Sequence, residues 1–179
     1  FIFVNKYSKY LKKRKADAVI TDIPRLPIGI LTADCAPILI YDKQKKMVAA
    51  IHAGWKGAYR GIISKVINFM TKKGCEKKNM IAVIGPCIAQ KSYNVREDFK
   101  KKFLKKDKKN KVFFRKRKNL IYFDLSKYIK SQLKLMKITN LDTINVDTFP
   151  KKNNFFSARR SLHLNHDDYG RNISLIMIN

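Results

Sequence analysis

Apolar positions along the chain fall into short blocks divided by turn chemistry. Residues 16–21 read as a short strand, closed by the Asp22-Ile23-Pro24 turn. Three strand-length runs rich in Ile and Val follow, at residues 28–31, 38–41 and 47–51. The polar stretch 42–46 between the last two has the length of a hairpin loop. After Gly57 the period changes. Ile62, Ile63, Val66, Ile67 and Met70 fall on one helical face, and Gly74 stands where a glycine ends a helix. Residues 80–84 form another strand, broken by Gly85-Pro86-Cys87. Val95, Phe99 and Phe103 mark a second helix at i, i+4 and i+8. Asp124 caps a third, with Leu125, Tyr128, Ile129, Leu133 and Met136 inward. Residues 144–148 and 173–178 are expected as late strands. Strands alternating with helices predict an α/β or α+β fold with a mixed sheet, residues 1–179 forming one domain.

Composition narrows the class. A chain of 179 residues with 45% hydrophobic content supports one substantial core. No apolar run approaches the roughly 20 residues of a membrane-spanning helix. The three cysteines, Cys35, Cys75 and Cys87, are widely spaced and odd in number, so a reducing cytoplasm is expected rather than a disulfide framework. Phe1-Ile2-Phe3-Val4 shows neither an initiator Met nor a signal-peptide layout, and an upstream segment is expected.

The formal charge of +27 suggests a nucleic-acid binder. The excess is mostly Lys, scattered along the chain, and accompanied by abundant Ile and Asn. AT-rich codons favour all three residues, whereas nucleic-acid binding accounts for Lys alone. The densest run, residues 100–118, reads as a solvated helix face and loop.

The chemistry concentrates at two strand ends. Cys35 closes one apolar run and His52 another, with 16 residues between them and Gly54, Trp55 and Gly57 just beyond. Strand ends supply rigidity and glycines allow close backbone approach. Such a pair suits zinc ligation or a Cys nucleophile with a His base. A buried Cys and an unrelated His remain the plain alternative.

The wording around the pair is more specific. "TADCAPILI", "AAIHAGWKG", "IGPCI" and "FFSARR", in that order and starting from "ADAVIT", resemble the laccase-domain family, also called YfiH-like, multicopper polyphenol oxidase or FAMIN-type. The resemblance implies mixed β-sheets flanked by helices in α/β/β/α layers. It implies one zinc bound by two His and one Cys with an open fourth position. It implies purine nucleoside phosphorylase activity on adenosine, inosine, guanosine and methylthioadenosine, with phosphate as partner, and adenosine deaminase activity. Copper oxidase chemistry is not implied, because the chain has only three His.

Carried across by motif, Cys35 and His52 are two metal ligands and catalytic residues. The third ligand belongs to an upstream Gln-x-His type motif, and no His precedes His52. It is therefore expected before Phe1. Asp34 is expected to be catalytic, behind a ligand histidine or on substrate, with a strand-end cap as the alternative. Arg159 and Arg160 are expected to bind substrate, because a guanidinium fork fits phosphate or a purine edge. Gly85 and Cys87 are expected to line the site through their loop backbone. Trp55 reads as a packing prop under the His52 loop more than a base-stacking platform. His163 and His166, in "SLHLNHDDYG", are expected in a loop insertion, and Cys75 has no functional case. Two other functions compete: a cytoplasmic Cys–His amide hydrolase editing peptidoglycan precursors, and a basic nucleic-acid-binding module.

Overall fold

The computed structural model describes residues 1–5, 16–166 and 169–179. Its centre is a β-hairpin of two long strands, β4 (Ala36–Asp42) and β5 (Met47–Ala53), in the register Asp42↔Met47 to Ala36↔Ala53. Buried Asp42 shapes the loop by accepting from the N–H groups of Gln44 at 3.0 Å and Lys45 at 2.8 Å. Around this hairpin stand β1 (Ile2–Val4), β2 (Ala18–Thr21), β6 (Met80–Ile84) and β10 (Asn140–Thr143). Together they form a mixed sheet in the order β1-β2-β5-β4-β6-β10.

Strand alternation divides the core in two. Met47, Ala49, Ile51 and Ala53 of β5 share one buried cluster with Ile63, Val66, Ile67 and Met70 of α2 (Ile62–Lys72) and Ile129 and Leu133 of α4 (Leu125–Leu135). Val48 and Ala50 point the other way. There they meet Ile28 and Ile30 of β3 (Ile28–Thr32), and Ile178. β3 pairs antiparallel with β11 (Asn172–Ile176) as a two-stranded second sheet. The result is a mixed α/β domain with helices on one face of the large sheet and a small sheet on the other.

The helix signals act as expected. Gly74 has a φ of 89° after α2. Asp124 accepts from Lys127 N–H at 2.8 Å to cap α4. Five expectations need correction. Val95 is not helical: Asn94–Val95 is β7, and α3 (Glu97–Lys106) starts where Glu97 and Asp98 complement the helix dipole. The strand expected at 144–148 lies earlier, as β10, whose pairing runs from Asn140↔Ile81 to Thr143↔Ile84 and stops where β6 ends. The late strand expected at 173–178 ends at Ile176.

The basic run is not only helix face and loop. Phe114–Arg117 (β8) and Leu120–Phe123 (β9) form a hairpin. Its two turn residues, Lys118 and Asn119, both have positive φ. β7 joins it to complete a three-stranded sheet. Finally, His163 is not in a loop but ends α5 (Ala158–His163). Ser157 starts that helix by accepting from Arg160 N–H at 3.1 Å. The remaining helix, α1 (Trp55–Tyr59), directly follows β5. No helix among the described residues is long and apolar enough to cross a membrane.

Candidate functional site

β5 delivers His52 and the β3–β4 corner delivers Cys35. His52 has the strand parity of Val48 and Ala50, which the small sheet covers completely. Its own side chain keeps 34% exposure. Pairing of Ala18 with Ile51 sets Asp17 opposite His52. The His52 N–H donates to the Asp17 carbonyl at 2.7 Å, and Nδ1 lies 3.8 Å from the Asp17 carboxylate. The other ring nitrogen turns toward Cys35. A Cβ on Gly54 would stand 2.7 Å from Cys35 Sγ and 3.9 Å from His52 Nε2, so both donors converge on the open side of that glycine.

Electrostatics leaves both groups neutral at pH 7. Burial, then the charges of Asp34 and Asp17, pushes the Cys35 thiol up to about 11. Burial lowers the His52 pKa, Arg171 lowers it further, and Asp17 works against both. A neutral imidazole is the form that binds a metal or accepts a proton. Cys35 and His52 share a cavity of about 540 Å³ with Asp17, Gly54, Trp55, Lys56, Gly57, Arg60, Ile62 and Lys65. Sulfur and imidazole nitrogen fit zinc in kind. Among the described residues, no three His, Cys, Asp or Glu side chains gather around one point.

Asp34, expected to be catalytic or a strand-end cap, has its carboxylate engaged by the chain itself. It accepts from Thr148 Oγ1 at 2.6 Å, Ser157 Oγ at 2.9 Å and Arg159 N–H at 2.7 Å. Its carbonyl accepts from Ile88 N–H at 3.0 Å. The carboxylate therefore ties the start of α5 to the Cys35 corner. Its φ of 80° is left-handed, a conformation that Asp tolerates better than most residues. The carboxylate facing His52 belongs to Asp17, which sequence reasoning missed because only strand register brings it there.

Arg160 is likewise not free for substrate. Its guanidinium donates to the carbonyls of Thr148 at 3.2 Å, Phe149 at 2.6 Å and Phe155 at 2.6 Å. Arg159 donates through Nη1 to the carbonyl of Asn94 at 3.0 Å and to the Asn94 side chain, and lies 5.3 Å over the Tyr93 ring. It lines a second cavity, of about 810 Å³, with Trp55, Tyr93, Asn94, Phe99 and the β8–β9 turn residue Asn119. Trp55 belongs to both cavities and packs on Phe99 at 4.8 Å between ring centres. It is both prop and wall.

Neither Gly85 nor Cys87 lines the two cavities, although Cys87 is near enough to Cys35 to feel its charge. Gly85 serves packing, since a Cβ there would meet Pro37 Cγ at 2.7 Å. The Cys87 backbone bonds to Val146 and Thr148, and burial is the largest cause raising its thiol to about 12. His163 packs against Phe149 at 5.6 Å, His166 is exposed, and neither lines the Cys35–His52 cavity. Tyr93 was not singled out by sequence. Burial and the nearby Cys35 raise its phenol well above the usual range.

The sequence profile of the multi-copper polyphenol oxidoreductase laccase family matches residues 2–179. The chain is 39% identical over 172 residues to a protein of Rickettsia conorii named purine nucleoside phosphorylase, covering 95% of this chain and 70% of that one. It is 37% identical over 152 residues to a Rickettsia prowazekii protein of the same name, covering 84% and 62%. The solved structure of YfiH from Bacillus licheniformis superposes with a TM-score of 0.80 at 28% identity, covering 91% of this chain and 61% of that one. YlmD from Geobacillus stearothermophilus, at 23% identity and a TM-score of 0.81, shares the fold over 92% of this chain and 62% of its own. The chain thus spans about 60–70% of the length of these relatives. With the "TADC" and "HAGWKG" corners built around one cavity, the chain belongs to the laccase-domain, YfiH-like family.

Proposed function

We propose that the chain is a purine nucleoside phosphorylase working at the Cys35–His52 cavity, with zinc held by Cys35 Sγ and His52 Nε2. The name of the relatives supports the reaction class. The convergence of thiol and neutral imidazole on Gly54 is the observation that carries the placement. A catalytic zinc site normally has three protein ligands, of which Cys35 and His52 are the two proposed among the described residues. Zinc bound there supplies a Lewis acid and lowers the pKa of a bound water toward about 7.

The chain's own residues position the reaction. The Asp17 carboxylate, 3.8 Å from Nδ1, favours the ring orientation that leaves Nε2 on the Cys35 side. Asp34 sets the Cys35 corner through its bonds to Thr148 and Ser157. The nucleoside lies against Trp55, between the two cavities that this residue joins. Phosphorolysis breaks the C1′–N9 bond and forms a C1′–O bond to hydrogen phosphate. The proton of hydrogen phosphate passes to the departing purine, so the products are ribose 1-phosphate and neutral base. Adenosine, inosine, guanosine and methylthioadenosine are the proposed substrates. Deamination of adenosine by water at C6, with release of ammonia, is the proposed second activity. Cys35, Cys75 and Cys87 are free thiols, which suits the proposed cytoplasmic location.

Metal analysis of the full reading frame, paired with nucleoside turnover with and without phosphate, tests this. Zinc near one equivalent and phosphate-dependent release of hypoxanthine from inosine are expected. A metal-replete enzyme that leaves nucleosides untouched yet cleaves an amino-acyl amide overturns it in favour of the cysteine hydrolase.

A further inference from the structure

The two arginines expected to hold an anion are engaged elsewhere, Arg160 on three carbonyls and Arg159 on Asn94. A different set of cations stands over the Cys35–His52 cavity. Lys56 of α1 and Arg60, four residues on, lie one helical turn apart. Gly61, with a φ of 81°, turns the chain directly into α2, whose first turns bring Lys65 to the same wall. All three side chains are exposed, and none forms an ion pair among the described residues. Among the described residues, Asp17 is the one acidic residue lining that cavity, and it faces His52.

In a chain with 40 bases and 13 acids, a single unpaired lysine says little. Three cations on one concave wall focus a positive potential where the reacting centre is proposed. The start of α2 adds to it. Ile62 lines the same cavity, and among the described residues the helix has neither a side-chain cap nor an acid in its first turn, so no side-chain charge offsets the positive end of its dipole.

We propose that Lys56, Arg60 and Lys65 form a subsite for a tetrahedral phosphate group in the wall of the Cys35–His52 cavity. The subsite rests on the phosphorylase reading and reassigns its anion contact from Arg159 and Arg160. The phosphate is either inorganic phosphate, the attacking partner, or a phosphate ester on the nucleoside.

Trp55 is the only tryptophan in the chain and lines the cavity, so its fluorescence reports occupancy. The full-length protein is titrated with sodium phosphate against sodium chloride at matched ionic strength. The variants are Arg60→Gln/Lys65→Gln and, as a control of equal charge change, Lys101→Gln/Lys105→Gln on the exposed side of α3. A saturable, phosphate-specific change is expected in the wild type and the control. It should weaken roughly ten- to a hundred-fold in Arg60→Gln/Lys65→Gln, as for lost charge-assisted bonds. Equal weakening in both variants, or no phosphate-specific change in the wild type, overturns the proposal.

Adenosine and adenosine 5′-monophosphate distinguish the two sources. Competition of the monophosphate with phosphate assigns the subsite to an ester. Joint binding of adenosine and phosphate, with the monophosphate no tighter than adenosine, assigns it to the inorganic ion. Turnover separates the two readings. Absent nucleoside cleavage with a phosphate response lost only in Arg60→Gln/Lys65→Gln rejects the phosphorylase and keeps the subsite. Phosphate-dependent cleavage with an unchanged phosphate KM in that variant rejects the subsite and keeps the phosphorylase.

Discussion

Asp17 and His52 face each other across the β2–β5 pair, backbone to backbone at 2.7 Å and carboxylate to Nδ1 at 3.8 Å. One nitrogen of the ring thus has an acid nearby, beyond hydrogen-bond length, and the other lies on the Gly54 and Cys35 side. Such an outer carboxylate fixes the tautomer and raises ligand basicity. Asp17→Asn should therefore lower zinc affinity roughly ten- to a hundred-fold while leaving the fold intact. Competition with a chelator of known affinity measures the first, and far-UV circular dichroism the second. Unchanged affinity would show that Asp17 does not orient a ligand.

Gly54 offers a sharper geometric test. A methyl group there would stand 2.7 Å from Cys35 Sγ, well inside van der Waals contact. In Gly54→Ala the thiol must move or β5 must shift. Metal content and nucleoside turnover should fall together, with thermal stability near that of the wild type. Retention of a full zinc equivalent in Gly54→Ala would count against the shared site.

Asp34 predicts a stability effect. Its carboxylate accepts three short bonds while buried. Asn tolerates the left-handed φ, but its amide nitrogen cannot accept from Ser157 Oγ or Arg159 N–H. Asp34→Asn should destabilise the domain by about 1.5–3 kcal/mol or more, the range for a lost bond to a charged group. Urea unfolding measures it, and a change near zero would show the clamp to be dispensable.

Cys35 gives a pH dependence. Burial and two carboxylates raise its thiol to about 11, so the metal-free protein holds it protonated at neutral pH. Alkylation by iodoacetamide should be slow at pH 7 and climb until about pH 11, and zinc should block it. Fast alkylation at neutral pH would reveal an activated thiolate and favour the cysteine hydrolase.

Cys75 gives the stability counterpart. Its folded pKa is raised from 9.0 to about 12, chiefly by burial, so the folded chain holds this proton more tightly than the unfolded chain does. The resulting stabilisation is complete below about pH 9 and declines as pH rises toward about 12. The stability advantage of wild type over Cys75→Ala should therefore shrink from pH 8 to pH 10.5, as followed by denaturant midpoints. A constant difference would mean that the thiol titrates normally.

The local pattern determined much of this protein. The apolar runs of β3, β4 and β5, the one-sided face of α2 and the caps at Gly74 and Asp124 follow from side-chain period and backbone preference, which act within a few residues. Cys35 and His52 stood out because small residues crowd the strand ends that carry them. The β8–β9 hairpin escaped because Arg115, Lys116 and Arg117 hide the alternation of its first strand.

Tertiary structure decided the partners. Asp17 meets His52 through strand register. Asp34 meets Ser157 and Thr148 across more than 110 residues of chain. Arg160 looked free for an anion until three loop carbonyls closed around it. Lys56, Arg60 and Lys65 looked like scattered charge until Gly61 joined α1 to α2 around the cavity. A side chain's type sets what it can bind. Which groups arrive within 3 Å of it depends on how distant segments pack, and no local period encodes that.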